Sequence, residues 1–417
     1  MGWEPAQRTG PPGTLPDAEE SLRELRELAA SAGAQVAGSA LQRSPEPDPA
    51  TLVGRGKVHE VRTRARAAGA SLVIFDHDLT PTQLRNLEQA FDLKVIDRTQ
   101  LILDIFARRA HSREGQLQVE LAQLNYLLPR LAGRGTLLSR LGGGIGTRGP
   151  GEQQLEYDRR RIRTRIRTLR QAIERVRSQR GLHRAHRRDG HFLSVALVGY
   201  TNAGKSTLFN ALTSARVATS ARLFATLDPT VRALPLESRQ RVLLSDTVGF
   251  IRKLPTHLVA AFRATLEELE EASLLLHVSD ASDLRHESQD AAVESMLETL
   301  GISSTPRLHV WNKLDLLDDV GRQRLPTGPS DVALSARTGE GLGMLLRRID
   351  EMLAGEPMVE ADFELSPSDG ECLALLHRSG VVLSTQYDGD RVRVRARVRA
   401  SLCEMLNHSP EKVVTNR

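Results

Sequence analysis

Residues 199–206 read GYTNAGKS, and residues 312–315 read NKLD. The first string has the residue types and spacing of a phosphate-binding loop, the second those of a loop that reads guanine. Gly199 and Gly204 permit backbone angles that turn the N–H groups of the Tyr200-Thr201-Asn202-Ala203 stretch inward as an anion nest. Lys205 would reach the β- and γ-phosphates, and the Ser206 hydroxyl, next to Thr207, would hold Mg²⁺. A third string, DTVG, runs Asp246-Thr247-Val248-Gly249. Its Asp246 is placed to hold Mg²⁺ through water, and Gly249 leaves room for its N–H to approach a γ-phosphate. In NKLD, the Asp315 carboxylate can accept from both N1–H and the exocyclic amine of guanine. Adenine lacks that donor pair, and sites built to bond such groups reject analogues by roughly 10⁴ or more. Asn312 would brace the loop, Leu314 lies within it, and the Lys313 stem would cover the ring face. Ser335, Ala336 and Arg337 would complete the base pocket, with the Ala336 N–H meeting the guanine carbonyl.

These loops work only if regular elements hold them. VALVG ends in Gly199 and reads as a strand, while STLFNAL from Ser206 has helical periodicity. The loop therefore lies between a strand and a helix N-terminus, whose dipole adds to the anion site. A glycine-rich loop before a helix can be a plain turn, but an intact GKS after a strand argues otherwise. RVLLS precedes Asp246 as a second strand, and VAL precedes Ser335 as another.

FATLDPT at residues 224–230, DTVGFI and GGGIGTRGPGE at residues 142–152 resemble the HflX family of ribosome-associated GTPases. The resemblance runs from about residue 49 to 355. It implies GTP and GDP as ligands, hydrolysis with Mg²⁺, and nucleotide contacts from Phe224, Ala225, Thr226, Leu227 and Asp228. Thr226 would be the switch threonine that coordinates Mg²⁺ and senses the γ-phosphate, so Lys205 and Thr226 are the candidates for transition-state and switch roles. It also implies binding to the large ribosomal subunit and its RNA, with splitting or rescue of stalled ribosomes. Phe250 stands where many GTPases place a glutamine that orients the attacking water, and a phenyl ring cannot do that. No general base is assigned, and turnover is expected to be slow until ribosomal subunits stimulate it. Asn202 lies where related GTPases hold K⁺, although an asparagine also suits a left-handed loop position.

Charge is concentrated. The chain carries +5 overall, and residues 148–188 hold 14 Arg against four acids, leaving −5 for the rest. Such a stripe suits a phosphate backbone. Ile162, Ile166, Leu169, Ile173 and Val176 step 4, 3, 4, 3, as do Leu117, Leu121, Leu124, Leu128 and Leu131. The two seams predict an antiparallel helical hairpin. Its tip carries Gly142, Gly143, Gly144, Gly146, Gly149 and Gly151 between and beside Arg140 and Arg148, all candidates for RNA contact.

The fold class expected is α/β. Residues 1–16 are Pro/Gly-rich and read as disordered. Residues 17–112 read as a small parallel α/β domain, 113–190 as the hairpin, 191–356 as a P-loop GTPase domain and 357–417 as a small α+β domain. In detail, a strand is expected at residues 35–41, helices near 18–31, 57–68 and 101–109, and tail strands at 381–387 and 391–398. No apolar run is long enough to span a bilayer. Two cysteines, Cys372 and Cys403, are too few for a disulfide framework, which favours a cytoplasmic protein. It is expected to be a monomer away from the ribosome. A GTP-gated RNA-binding assembly factor with little turnover is the alternative; an ATP-driven remodeller conflicts with NKLD.

Overall fold

The computed structural model describes residues 1–5, 17–131, 150–189, 193–213, 223–224, 226–236, 238, 242–253, 269–353, 358–366, 370–388, 391–399, 402, 406 and 413–416. The chain begins with a strand. β1 (Gly2–Pro5) pairs in parallel with β2 (Leu41–Ser44), and the Trp3 indole N–H donates to Ser44 Oγ at 2.7 Å. Disorder over residues 1–16 is therefore corrected for the first five: composition averaged over a Pro/Gly-rich stretch concealed a four-residue strand with a ready partner. The strand expected at residues 35–41 is displaced too. Residues 34–40 form neither helix nor strand, Ala40 O accepting from Gly2 N at 3.0 Å, and β2 begins at Leu41.

β3 (Leu72–Phe75) and β4 (Lys94–Asp97) form a second parallel pair. Met1 joins the pairs, donating to Ile74 O at 2.8 Å and accepting from Asp76 N at 2.9 Å. Around the strands lie α1 (Asp17–Ser31), α2 (Arg55–Ala67), α3 (Pro81–Phe91) and α4 (Arg98–Arg109). α3 starts where it does because Thr80 and Gln83 form a capping box and Pro81 fits the first helical position. Asp92, left-handed at φ 55, ends it.

The hairpin helices are α5 (Arg113–Arg130) and α6 (Pro150–Asp189). Arg165 pairs with Glu120 through two bonds, 2.6 and 2.7 Å, tying them together. In α6 the seam buries Ile166 and Leu169. In α5 the buried set is Leu117, Val119, Ala122 and Tyr126, whereas Leu121, Leu124 and Leu128 are half-buried. The helix serves two faces, one toward α6 and one toward α4, so a single heptad stripe under-describes it. Of the tip, Gly151 lies in the first turn of α6; Arg140, Gly142, Gly143, Gly144, Gly146, Arg148 and Gly149 lie outside the described residues.

Next comes a six-stranded sheet in the order β10-β9-β8-β5-β7-β6. Its strands are β5 (Leu193–Val198), β6 (Thr230–Leu234), β7 (Val242–Asp246), β8 (Leu274–Asp280), β9 (Arg307–Asn312) and β10 (Asp331–Ala333). All pairs are parallel except the edge pair β6 and β7. The central strands are near-continuous apolar runs because helices cover both faces. One face, with Leu197, Leu276 and Val310, packs on α7 (Lys205–Thr213) and α10 (Leu342–Leu353), α9 (Asp319–Gln323) lying outside. The other carries α8 (His286–Thr299) and merges with α1 and α4 into one core shared by two domains.

The tail is a four-stranded antiparallel sheet, β12-β13-β11-β14, with α11 (Gly370–Ser379) on one face. Its strands are β11 (Met358–Leu365), β12 (Val381–Asp388), β13 (Arg391–Arg399) and β14 (Val413–Asn416). β13 reads RVRVRARVR: Val392, Val394, Ala396 and Val398 are buried, and Arg393 and Arg395 face out to Glu364 and Glu360. β11 and β14 are additions to the two tail strands that periodicity predicts.

Candidate functional site

Four loops converge beyond the carboxyl ends of β5, β7, β9 and β10, the crevice where open α/β sheets bind ligands. The loop after β5 closes tightly. Gly204 adopts φ +96, and a Cβ there would lie 2.2 Å from Asn312 Nδ2, so no side chain fits. Lys205 is buried and donates to Gly199 O at 3.0 Å and Tyr200 O at 2.6 Å, which folds its ammonium back over the loop. Burial lowers its pKa to about 8, with Asp246 pulling the other way.

Ser206 Oγ lies 2.7 Å from Thr226 Oγ1 and 2.7 Å from Asp246 Oδ2, and Thr226 Oγ1 lies 3.0 Å from the same carboxylate oxygen. Asp246 is fully buried, and its Oδ1 has no hydrogen-bond partner. Burial raises its carboxyl above the usual range, while Ser206, Lys205 and Thr226 pull it down. Three hard oxygens and an unsatisfied buried carboxylate oxygen are the donor set that suits Mg²⁺, which binds few protein ligands beside phosphates and water.

On the opposite side, one side chain joins three loops. Asn312 Nδ2 donates to Ala203 O at 2.9 Å, and Asn312 Oδ1 accepts from Ala336 N at 3.0 Å. The Ala336 N–H, expected to meet the guanine carbonyl, here braces the two loops. Asp315 accepts from Ser335 Oγ at 2.6 Å and pairs with Arg337 at 2.5 Å. Ser335, opposed by slight burial and helped by Arg337, holds its carboxyl below the usual range. Lys313, left-handed at φ 69, pairs with Asp280 at 2.5 Å. Leu314 is buried beneath this loop, and Thr207 continues α7 behind Ser206. Asn202 is exposed and left-handed at φ 64, a loop position that suits an asparagine.

Several residues expected at the nucleotide face the preceding domain. The Tyr200 hydroxyl donates to Glu24 of α1 and accepts from Arg252 N. Phe224, Leu227 and Val248 are buried in the core shared with α1 and α4, Phe224 meeting Phe106 edge-on at 4.6 Å. Asp228 bonds the start of α5, away from the phosphate loop. Ala225 lies outside the described residues. Thr247 Oγ1 donates to Leu197 O at 2.6 Å and secures the DTVG segment to β5.

Phe250 is buried in the same shared core, and its backbone holds the switch segment to the phosphate loop. Phe250 N donates to Gly199 O at 3.1 Å, and Thr201 N donates to Phe250 O at 2.8 Å. The position therefore contributes packing and backbone bonds. Behind this lies a buried polar set that motif reading missed. Arg98 pairs with Asp76 at 2.9 Å and with Glu24, and donates to Arg252 O at 3.1 Å. Lys253 reaches Asp76 and Ser21, each at 2.7 Å.

A different cluster, His277, Asp290 and His309, brings its ligand atoms within 4.8 Å of one another. The two imidazoles stack 6° from parallel, so their lone pairs do not converge. Ser279 Oγ already bonds Asp290 at 2.5 Å and His309 Nε2 at 2.8 Å. We read it as a polar ladder between β8, β9 and α8. Burial, with His277 nearby, lowers the pKa of His309 to about 4. Between about pH 6.5 and 4 the unfolded chain binds a proton that the folded one does not, so stability falls as pH falls through that window. The full loss is roughly 3 kcal/mol. Urea midpoints of wild type and His309→Gln from pH 7 to 4.5 should show a flatter slope in the variant; parallel slopes would refute the assignment.

The chain matches three family models, described as GTP-binding GTPase N-terminal over residues 19–107, GTP-binding GTPase Middle Region over 109–187 and 50S ribosome-binding GTPase over 194–313. GTPase HflX of Caldanaerobacter subterraneus subsp. tengcongensis is 48% identical over 394 residues, 94% of this chain and 91% of the relative. GTPase HflX of Escherichia coli K12 is 48% identical over 355 residues, 84% of this chain and 83% of the relative. With the phosphate, switch and base loops assembled on one sheet and relatives 48% identical over 84% and 94% of its length, the chain belongs to the HflX family of GTPases and binds and hydrolyses GTP.

Proposed function

We propose that this GTPase works on the ribosome: it docks on the large subunit through the α5–α6 hairpin and, in its GTP state, splits or rescues stalled ribosomes. The observation that carries the reading is the arginine face of α6. Arg160, Arg161, Arg163, Arg167, Arg170 and Arg175 are exposed, while Ile166 and Leu169 are buried. A helix that turns its apolar seam inward and a row of guanidinium groups outward fits a phosphodiester backbone. The match to a family described as 50S ribosome-binding GTPase supports the large subunit as its source.

In this reading Ser206 and Thr226 would hold Mg²⁺, Asp246 would hold it through water, and Asp315 would read guanine. The ion would supply charge neutralisation at the phosphates when bound. Lys205 stabilises charge on the transferred phosphoryl group, and Asn312, Ser335 and Arg337 hold the base loop in shape. Phe250, packed into the core, leaves water orientation to groups outside the DTVG loop, so unaided turnover is slow.

Cosedimentation with separated subunits and whole ribosomes tests the proposal. Binding to the large subunit should require GTP or a non-hydrolysable analogue and weaken with GDP, and subunits should raise GTP turnover tenfold or more (about 1.4 kcal/mol of barrier). Nucleotide-independent sedimentation, or equal turnover with and without subunits, would refute it.

A further inference from the structure

Thr226 and Asp228 stand two residues apart and bond different domains. Thr226 Oγ1 meets Ser206 and Asp246 at 2.7 and 3.0 Å. The Asp228 carboxylate accepts from His111 N at 2.8 Å, from Ser112 N at 2.7 Å, and from the Ser112 hydroxyl. Ser112 is the N-cap of α5, its Oγ accepting from Gly115 N at 2.9 Å. The carboxylate thus sits at the positive end of the hairpin's first helix, bonded to backbone donors that begin it. The fit is close: a Cβ on Gly115 would lie 2.5 Å from Asp228 Oδ1.

Flanking contacts make this a clasp instead of a chance bond. Leu223 N donates to Ser31 Oγ at 3.0 Å, and Phe224 lies against Phe106 of α4. Leu223, Phe224 and Asp228 therefore meet α1, α4 and the root of α5, while Thr226 is presented to Ser206 and Asp246. A segment held this way cannot move its threonine without drawing on the helix root.

We propose that Asp228 is a positioning residue for GTP hydrolysis. It couples the place of Thr226 over the Mg²⁺ donor set to the seating of α5, the root of the hairpin. The coupling is reciprocal: a γ-phosphate that engages Thr226 tightens the α5 cap, and a hairpin held by a partner favours Thr226 in place. This rests on the reading of Thr226 as the γ-phosphate sensor. Charge-assisted bonds from one carboxylate to two N–H groups and a hydroxyl are strong enough to carry a roughly tenfold bias.

The test is amide exchange over residues 111–116 together with nucleotide affinities, in wild type, Asp228→Ala, Asp228→Asn and Thr226→Ala. Wild type should protect these amides about tenfold more with a GTP analogue and Mg²⁺ than with GDP. Asp228→Ala should exchange quickly in both states and lose about tenfold of the preference for the GTP analogue, with GDP affinity within about twofold of wild type. Asp228→Asn, which keeps one acceptor, should fall between. Equal protection in both nucleotide states of wild type, or equal loss of GDP and GTP analogue in Asp228→Ala, would overturn the coupling. Thr226→Ala separates the two ideas. If it leaves analogue preference intact, the sensor reading fails, while rapid exchange in Asp228→Ala alone would still establish the cap.

Discussion

Asp315→Asn is expected to weaken GTP by roughly 10³ to 10⁴ and to admit xanthosine triphosphate. In the proposed reading the carboxylate would accept from two guanine donors. An amide in its place offers one acceptor and one donor, which opposes the exocyclic amine of guanine and matches the carbonyl that xanthine carries there. The surroundings make the exchange clean. Ser335 Oγ at 2.6 Å can rotate to donate or accept, and Arg337 at 2.5 Å can keep the remaining oxygen. The base loop should therefore stand while its specificity changes. Competition between GTP and xanthosine triphosphate for the labelled site is the measurement, and an unchanged guanine preference would show that Asp315 does not read the base.

Arg98→Ala should destabilise the protein by about 3–5 kcal/mol, the range for removing one partner from a buried ion pair. Arg98 is 2% exposed and pairs with two carboxylates that are themselves buried, Asp76 and Glu24. Burial pushes the Asp76 carboxyl up, and Lys253 and Arg98 outweigh it to hold the group below its usual range. Without the guanidinium, Glu24 keeps only the Tyr200 hydroxyl among these partners, and Arg252 O loses its donor. The loss should appear as a lower urea midpoint and as faster proteolysis near the junction of α1 with the switch segment. Arg98→Lys should recover little, because an ammonium cannot span both carboxylates as the guanidinium fork does. A change under about 1 kcal/mol would mean that the pair is solvated in the folded state.

The two positions differ in how far sequence could reveal them. Gly204, Lys205, Ser206, Asn312 and Asp315 were legible because phosphate and guanine each demand particular groups within a few consecutive residues. Arg98 carries no such signature: its partner Glu24 is 74 residues away in the chain. Asp228 was assigned to the nucleotide by resemblance, yet it bonds residues 116 and 117 positions earlier. Helix packing shows the same divide. The α6 seam is legible because Ile166 and Leu169 belong to a helix with one apolar face. In α5, Val119, Ala122 and Tyr126 join a core that the leucine spacing does not describe. Strand β1 was hidden by its proline-rich surroundings, since its pairing is a property of β2 and Met1 more than of its own four residues.

Asn312 has a consequence for how the ligand is felt. Because its amide links the phosphate loop at Ala203 with the base loop at Ala336, the purine and triphosphate halves of the ligand order a common framework. Whichever half arrives first would take up the cost of holding this framework, and the other would meet it already held. Guanosine and inorganic triphosphate, taken separately, are therefore expected to bind with free energies whose sum falls short of that of the intact nucleotide. Affinity in this pocket is a property of connection, made by one side-chain amide, as much as of contact.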